Sequence, residues 1–216
     1  MKPSFWGTKS AASVAIFRLT SLAIPPLLLT GCLFKTATVP TRHFVLESVS
    51  TNEASLVTTE HLSIAISYVK MPSYLLKNSI SIRNGSNEIK YLDDALWAER
   101  LDHCFERVLT ANLSRLLGSD SIYLSDSGRD QVQAKVSIHV QQFDVDNQGQ
   151  GTLIANWRID VPDQDTALKS GQARLERTGA SPHGHPEAIA ATLSDLAAEF
   201  SRELARSLSE SVASSH

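Results

Sequence analysis

Residues 71–117, MPSYLLKNSISIRNGSNEIKYLDDALWAERLDHCFERVLTANLSRLL, change hydrophobic period once, and that change decides the fold class. Ile80 and Ile82 alternate with Ser79, Ser81 and Arg83; Asn84-Gly85 follows, then Ile89 and Tyr91. Period two sends successive side chains to opposite faces of a strand. Asn-Gly between two such segments signals a hairpin, because both residues tolerate positive φ. From Leu101 the spacing turns helical: Leu101, Phe105, Val108, Leu109, Leu113, Leu116 and Leu117 form one stripe, with Asp102, Glu106, Arg107 and Arg115 off it. Gly118 supplies a left-handed stop. Cys104 sits beside Leu101 and Val108 on the apolar side and reads as a small buried hydrophobe. Asp93-Asp94 reads as the turn that approaches the helix.

Outward from this segment the same two periods recur. His43 to Leu46 reads as a short first strand, and the Ser-, Thr- and Glu-rich residues 47–60 as a loop. Leu62, Ile64, Ile66 and Tyr68 alternate with Ser63, Ala65 and Ser67, a half-buried strand. Residues 134–161 read as a long hairpin. Ala134, Val136, Ile138 and Val140 face inward on even numbers, then Phe143 and Val145 on odd ones, so a β-bulge is expected at Gln141-Gln142. Gly149 and Gly151 mark its turn, and Leu153, Ala155, Trp157, Ile159 and Val161 form the return strand. After a loop from Pro162 to Ser170, Ala173 and Leu175 suggest one more strand. A final helix begins near Pro186, with Ile189, Leu193, Leu196, Phe200, Leu204 and Leu208 on its stripe and a frayed tail. The order predicts an α+β domain: a mostly antiparallel sheet with two amphipathic helices packed on one face.

The amino terminus carries a separate message. Lys2, Lys9 and Arg18 precede an apolar run that is too short to span a bilayer and is broken by Pro25 and Pro26. It ends in Leu29-Thr30-Gly31-Cys32, which resembles the lipobox of bacterial lipoproteins. Small side chains let a peptidase reach the backbone, and only a thiol forms the thioether. Residues 1–31 then read as a signal peptide. Cys32 becomes the lipidation site, bearing diacylglycerol and an N-acyl chain, and residues 32–42 become a tether to a single domain over 43–212. Several acyl chains make such an anchor firm. Leu33, rather than Asp, after the cysteine favours the outer membrane under the enterobacterial sorting pattern. With Cys32 lipidated, Cys104 has no intrachain disulfide partner.

The formal net charge of −3 becomes more negative once the basic leader is removed, which argues against nucleic acid as a partner. The 42% apolar content suffices for a core and is too low for a polytopic membrane protein. Catalytic constellations are not evident. His183-Gly-His185 has metal-like spacing but no carboxylate or cysteine cluster beside it, and reads as solvated loop. Asp144 and Asp146 lack the spacing of a calcium loop and read as the solvent face of a hairpin end. The expectation is no metal, no dissociable cofactor and no enzyme activity.

The Met71-Pro72-Ser73-Tyr74-Leu75 turn, the Ile-x-Ile-Arg strand ending at Arg83, and Trp97-Ala98-Glu99-x-Leu101 with Asn112-Leu113 further on resemble the ABC-type transport auxiliary lipoprotein family, of the PqiC type. The resemblance makes Pro72, Tyr74, Leu75, Arg83, Trp97, Glu99 and Leu101 the family signature, structural or in contact with a partner. Trp97 and Glu99 would open the first helix, Glu99 complementing its dipole. It implies a non-enzymatic subunit of an envelope lipid-transport system, which docks an MCE-domain periplasmic protein at the outer membrane, supports membrane integrity and forms a homo-oligomer. Tyr74, Leu75 and Leu76 are either an exposed apolar contact or a plug of the core. The rival reading is a stand-alone envelope lipoprotein that binds a small apolar ligand in a concave pocket or aids outer-membrane assembly.

Overall fold

The computed structural model describes residues 40–49, 63–124, 132–162 and 167–213. Among them the order is β1 (Arg42–Phe44), β2 (Ile64–Lys70), a 3₁₀ turn (Ser73–Leu76), β3 (Ser79–Asn84), β4 (Glu88–Trp97), α1 (Leu101–Leu117), β5 (Ile122–Leu124), β6 (Ala134–Asp146), β7 (Gln150–Asp160), β8 (Ala167–Thr178) and α2 (Pro186–Ala213). The lipobox and leader lie outside the described residues.

All eight strands join one sheet, in the order β1-β4-β3-β6-β2-β5, with β7 and then β8 added beside β6. β6 is the spine. Its first half runs parallel to β2, its end parallel to β3, and nearly its whole length antiparallel to β7. The α+β class stands, and the sheet is mixed. The hairpins β3–β4, β6–β7 and β7–β8 are antiparallel, whereas β1–β4, β2–β5, β2–β6 and β3–β6 are parallel. Alternation reports which face a residue takes and is silent on strand direction. β2 and β3 follow one another along one side of β6, joined by the 3₁₀ turn, so both run the same way.

The Asn84-Gly85 hairpin forms, with Gly85 at φ 72°, and Gly118 caps α1 at φ 61°. The bulge anticipated at Gln141-Gln142 appears as a register shift between Val140 and Gln142. A second shift, between Ile66 and Tyr68, leaves no trace in the alternation. It turns Tyr68 outward, 55% exposed, and gives its expected inward place to Val69. Three boundaries also move. β8 begins at Ala167, within the expected loop, because an edge strand is held by its backbone ladder to β7 more than by apolar alternation. Asp93-Asp94 lies inside β4, and Trp97 ends that strand. α1 starts only at Leu101, so Glu99 precedes the helix and Asp102 is its first-turn acid.

Both helices lie on one face of the sheet. Phe105 of α1 meets Phe143 of β6 edge-on at 5.2 Å and Phe200 of α2 at 6.0 Å between ring centroids. The whole α2 stripe from Ile189 to Leu208 is buried. Burying each such side chain contributes about 1.5–3 kcal/mol. α2 approaches β7 so closely that a Cβ at Gly151 would lie 2.6 Å from the Thr192 methyl group, which explains a glycine inside that strand. Asn112, fully buried, ties three segments: its Oδ1 accepts from Val49 N (2.8 Å), and its Nδ2 donates to Ser201 Oγ (3.0 Å).

Candidate functional site

Alternation puts Asp144 on the face away from the helices, because its neighbours Phe143 and Val145 point into the core. A solvated carboxylate is the expectation there, yet its side chain is 1% exposed. The 3₁₀ turn and β3 cover it. Pro72 opens that turn, its carbonyl accepting from Leu75 N (3.0 Å), and Leu75 anchors the turn in the core. Tyr74 then projects over β6, and Tyr91 OH donates to its carbonyl (3.1 Å). Arg83, at the end of β3, shares the outward face and completes the cover.

The carboxylate of Asp144 is fully engaged. Oδ1 accepts from Arg83 Nε (3.0 Å) and Gln142 Nε2 (2.9 Å); Oδ2 accepts from Arg83 Nη2 (2.6 Å) and Tyr74 OH (2.8 Å). A carboxylate offers about four lone-pair sites, so none is left for a substrate proton. The bidentate fork is the strong, directional form of ion pair. Burial, with Asp144 adding to it, pushes the Tyr74 phenol well above its ordinary 10.0. The hydrogen bonds to Asp144 hold the Arg83 guanidinium more firmly protonated than usual. With Tyr74 kept neutral and Arg83 kept charged, the cluster locks the 3₁₀ turn, β3 and β6 together and lacks the titrating pair that acid–base catalysis needs.

The rest of the signature divides. Trp97 and Leu101 are core residues, 5% and 2% exposed. Glu99 lies at the surface and accepts from Arg107 Nη2 (2.6 Å), which also reaches Cys104 Sγ (3.3 Å). That hydrogen bond, stronger than the opposing burial, holds the Glu99 carboxyl below its usual range. Cys104 is fully buried, its sulfur also accepts from Leu46 N (3.1 Å), and burial pushes its thiol up, the opposite of a reactive cysteine. Of the apolar trio, Leu75 plugs the core, while Tyr74 and Leu76 are partly buried against it. The structure thus gathers Tyr74 and Arg83 at one point, leaves Glu99 at another, and adds Asp144 and Gln142. Alternation alone assigns Asp144 to solvent, and its one sequence signal is a charged residue beside a bulge.

Among the described residues no group of three His, Cys, Asp or Glu side chains is placed to hold a metal, and His185 is exposed against Glu187. No helix among them is long and apolar enough to cross a membrane. An open groove of about 640 Å³ between α1 and β5 has His103, Glu106 and Arg107 on its walls beside Ile122 and Leu124.

Fold and cluster together define a helix-backed mixed-sheet domain pinned by a buried ion-pair lock. The chain belongs to the family of ABC-type transport auxiliary lipoprotein components, whose sequence profile matches residues 44–205. No curated protein matches the chain. Two crystal structures share the fold. One, of an uncharacterized protein, is 20% identical, with TM-score 0.61, covering 78% of this chain and 99% of its own. The other, a Xanthomonas campestris protein of the DUF330 family, is 14% identical, with TM-score 0.61, covering 76% and 90%.

Proposed function

We propose that this protein is a non-enzymatic lipoprotein subunit of an envelope lipid-transport system, held in the outer membrane through acyl chains on Cys32 and docking a periplasmic MCE-domain component there as a homo-oligomer. The observation that carries the reading is the family match over residues 44–205. The lock supports it: the signature residue Arg83 and the buried Asp144 are spent on one another, as suits a rigid adaptor. The groove beside α1 is open and carries charged walls, which favours docking over an enclosed apolar ligand.

The test is purification of the full-length protein from its native envelope in mild detergent, with native mass and co-purifying proteins read by mass spectrometry. A multimeric mass with an MCE-type protein, and acyl chains on Cys32, is expected. An acylated monomer without such a partner sinks the reading and turns attention to the rival ligand-binding lipoprotein; a protein without acyl chains sinks both.

A further inference from the structure

The sheet face opposite the helices gathers charges that the sequence scatters. The ladders align Tyr68 of β2 with Ser137 and, through it, Arg158; Lys70 aligns with His139, and Gln142 with Ile154 and Arg174. Lys135 stands in the same column of β6 as Ser137 and His139. Tyr68, Lys70, Lys135, His139, Arg158 and Arg174 are all exposed. Arg158 is taken by Asp160 at 2.6 Å. Lys70, Lys135 and Arg174 have no acidic partner among the described residues. Of the acids on this face, Asp144 is engaged by Arg83, Asp146 by the backbone of the β6–β7 turn, Asp160 lies in register with Lys135 while it pairs with Arg158, and Glu176 sits toward one end opposite Thr152. On the far side of the domain, α2 carries Glu187, Asp195, Glu199, Glu203 and Glu210 with Arg202 and Arg206, and Glu187, Asp195 and Glu210 pair with Arg42, Arg177 and Lys169. In a chain of net negative charge this face therefore presents three exposed cations without an ion pair among the described residues, with the exposed ring of Tyr68 on β2 beside Lys70.

We propose that this open face docks against anionic phospholipid headgroups of the membrane that holds the protein, through Lys70, Lys135 and Arg174, with Tyr68 beside the two lysines. The inference rests on the anchoring reading above, since acyl chains at Cys32 would keep the domain within reach of a bilayer. Charge complementarity selects the occupant. Dispersed cations on a flat polar surface suit headgroups, which need no shaped pocket, and tyrosine is at home at the headgroup level. A stable protein interface would require an apolar centre, and among the described residues Tyr68 is the one large apolar side chain more than half exposed. The helix side would then face away from the bilayer, toward periplasmic partners.

The test uses the mature, acylated protein incorporated into vesicles of phosphatidylcholine alone or of equal parts phosphatidylcholine and phosphatidylglycerol. Acetylation of individual lysines is timed by mass spectrometry. At low salt, Lys70 and Lys135 should label about tenfold more slowly on the anionic vesicles, as expected for a few cations near a charged surface. Lys169, which faces α2 and pairs with Glu210, should not change. High salt should erase the difference. A Tyr68→Trp reporter should be quenched by headgroup-labelled lipid in the anionic vesicles, and the added changes Lys70→Glu/Lys135→Glu/Arg174→Glu, all at exposed positions, should abolish that quenching. Equal labelling on both vesicles overturns the proposal and leaves the face to an acidic protein. Flotation on the neutral vesicles reports the anchor by itself: a protein that floats only on anionic vesicles, and only at low salt, upholds the face and refutes the anchor.

Discussion

Phe143 and Asp144 are consecutive on β6 and both are lost to solvent, by opposite means. Phe143 points to the helices and is packed by Phe105 in a shell of apolar side chains. Asp144 points the other way and is enclosed by four donated hydrogen bonds, two of them from one guanidinium. The first kind of burial is non-directional and scales with area; the second works only if every partner is in place. One strand thus ties the helices to the sheet on one side and the 3₁₀ turn to the sheet on the other.

The largest expected effect lies on the apolar side. Phe143→Ala should cost about 3–5 kcal/mol, the transfer term plus the cavity left between the sheet and α1. Guanidinium unfolding of the two proteins measures it, and a loss under about 1 kcal/mol would mean that the helices close over the gap. Asp144→Ala should cost less, about 2–3 kcal/mol. Removing one member of a fully buried pair costs about 3–5 kcal/mol, but Arg83 keeps 24% of its side chain in water and recovers part of its hydration. The comparison sharpens in an Arg83→Met background, where Asp144→Ala should have a clearly different cost, with a coupling of about 1 kcal/mol or more. Additive effects would break the claim that the two form a unit.

What could be read beforehand follows from this contrast. Area-driven burial repeats with the period of the element, so the hairpins, both helix stripes and the Gln141-Gln142 bulge were visible in single residues such as Ile82, Phe105 and Phe200. Direction-driven burial has no period. Asp144 looks like any solvent-facing acid until Tyr74 and Arg83, distant in the chain, are placed over it. Tyr68 breaks the expected alternation because a bulge at Ser67 changes parity just where two large side chains, Tyr68 and Val69, stand side by side and either could continue the inward row. Strand direction escaped too: the parallel ladders depend on where the turn between β2 and β3 runs. The signature residues were recognised by pattern, but the division between a locked pair, core residues such as Trp97 and surface Glu99 needed coordinates.

A smaller effect isolates the phenol. Tyr74→Phe keeps the ring and removes the donor to Asp144, for about 1 kcal/mol at neutral pH. The folded phenol titrates above its ordinary 10.0, so the hydroxyl's contribution is complete below that value. As pH rises past it, the unfolded chain loses the proton while the folded one retains it, and the contribution drains away. The stability gap between wild type and Tyr74→Phe should therefore narrow in alkaline solution and can reverse. A gap that stays constant through that range would show that the hydroxyl is already solvated in the folded protein.

The smallest effect belongs to Glu99, the signature residue that stays at the surface. Its side chain is 36% exposed and that of Arg107 52%, so water screens the pair from both ends. Glu99→Gln should then cost only about 0.5 kcal/mol in urea unfolding, and less in high salt. The sign is opposite to that of Tyr74. A carboxyl held below its ordinary 4.5 stabilises the fold above that value and ceases to do so as pH falls through its folded value. The cost of Glu99→Gln should accordingly vanish in acid, whereas that of Tyr74→Phe vanishes in base. If instead Glu99→Gln costs about 2 kcal/mol or more at neutral pH, Glu99 is not an ordinary surface acid. Arg107, freed from Glu99, would then have to be disturbing its contact with the buried Cys104 sulfur, and the signature at the start of α1 would be a second lock like the one on β6.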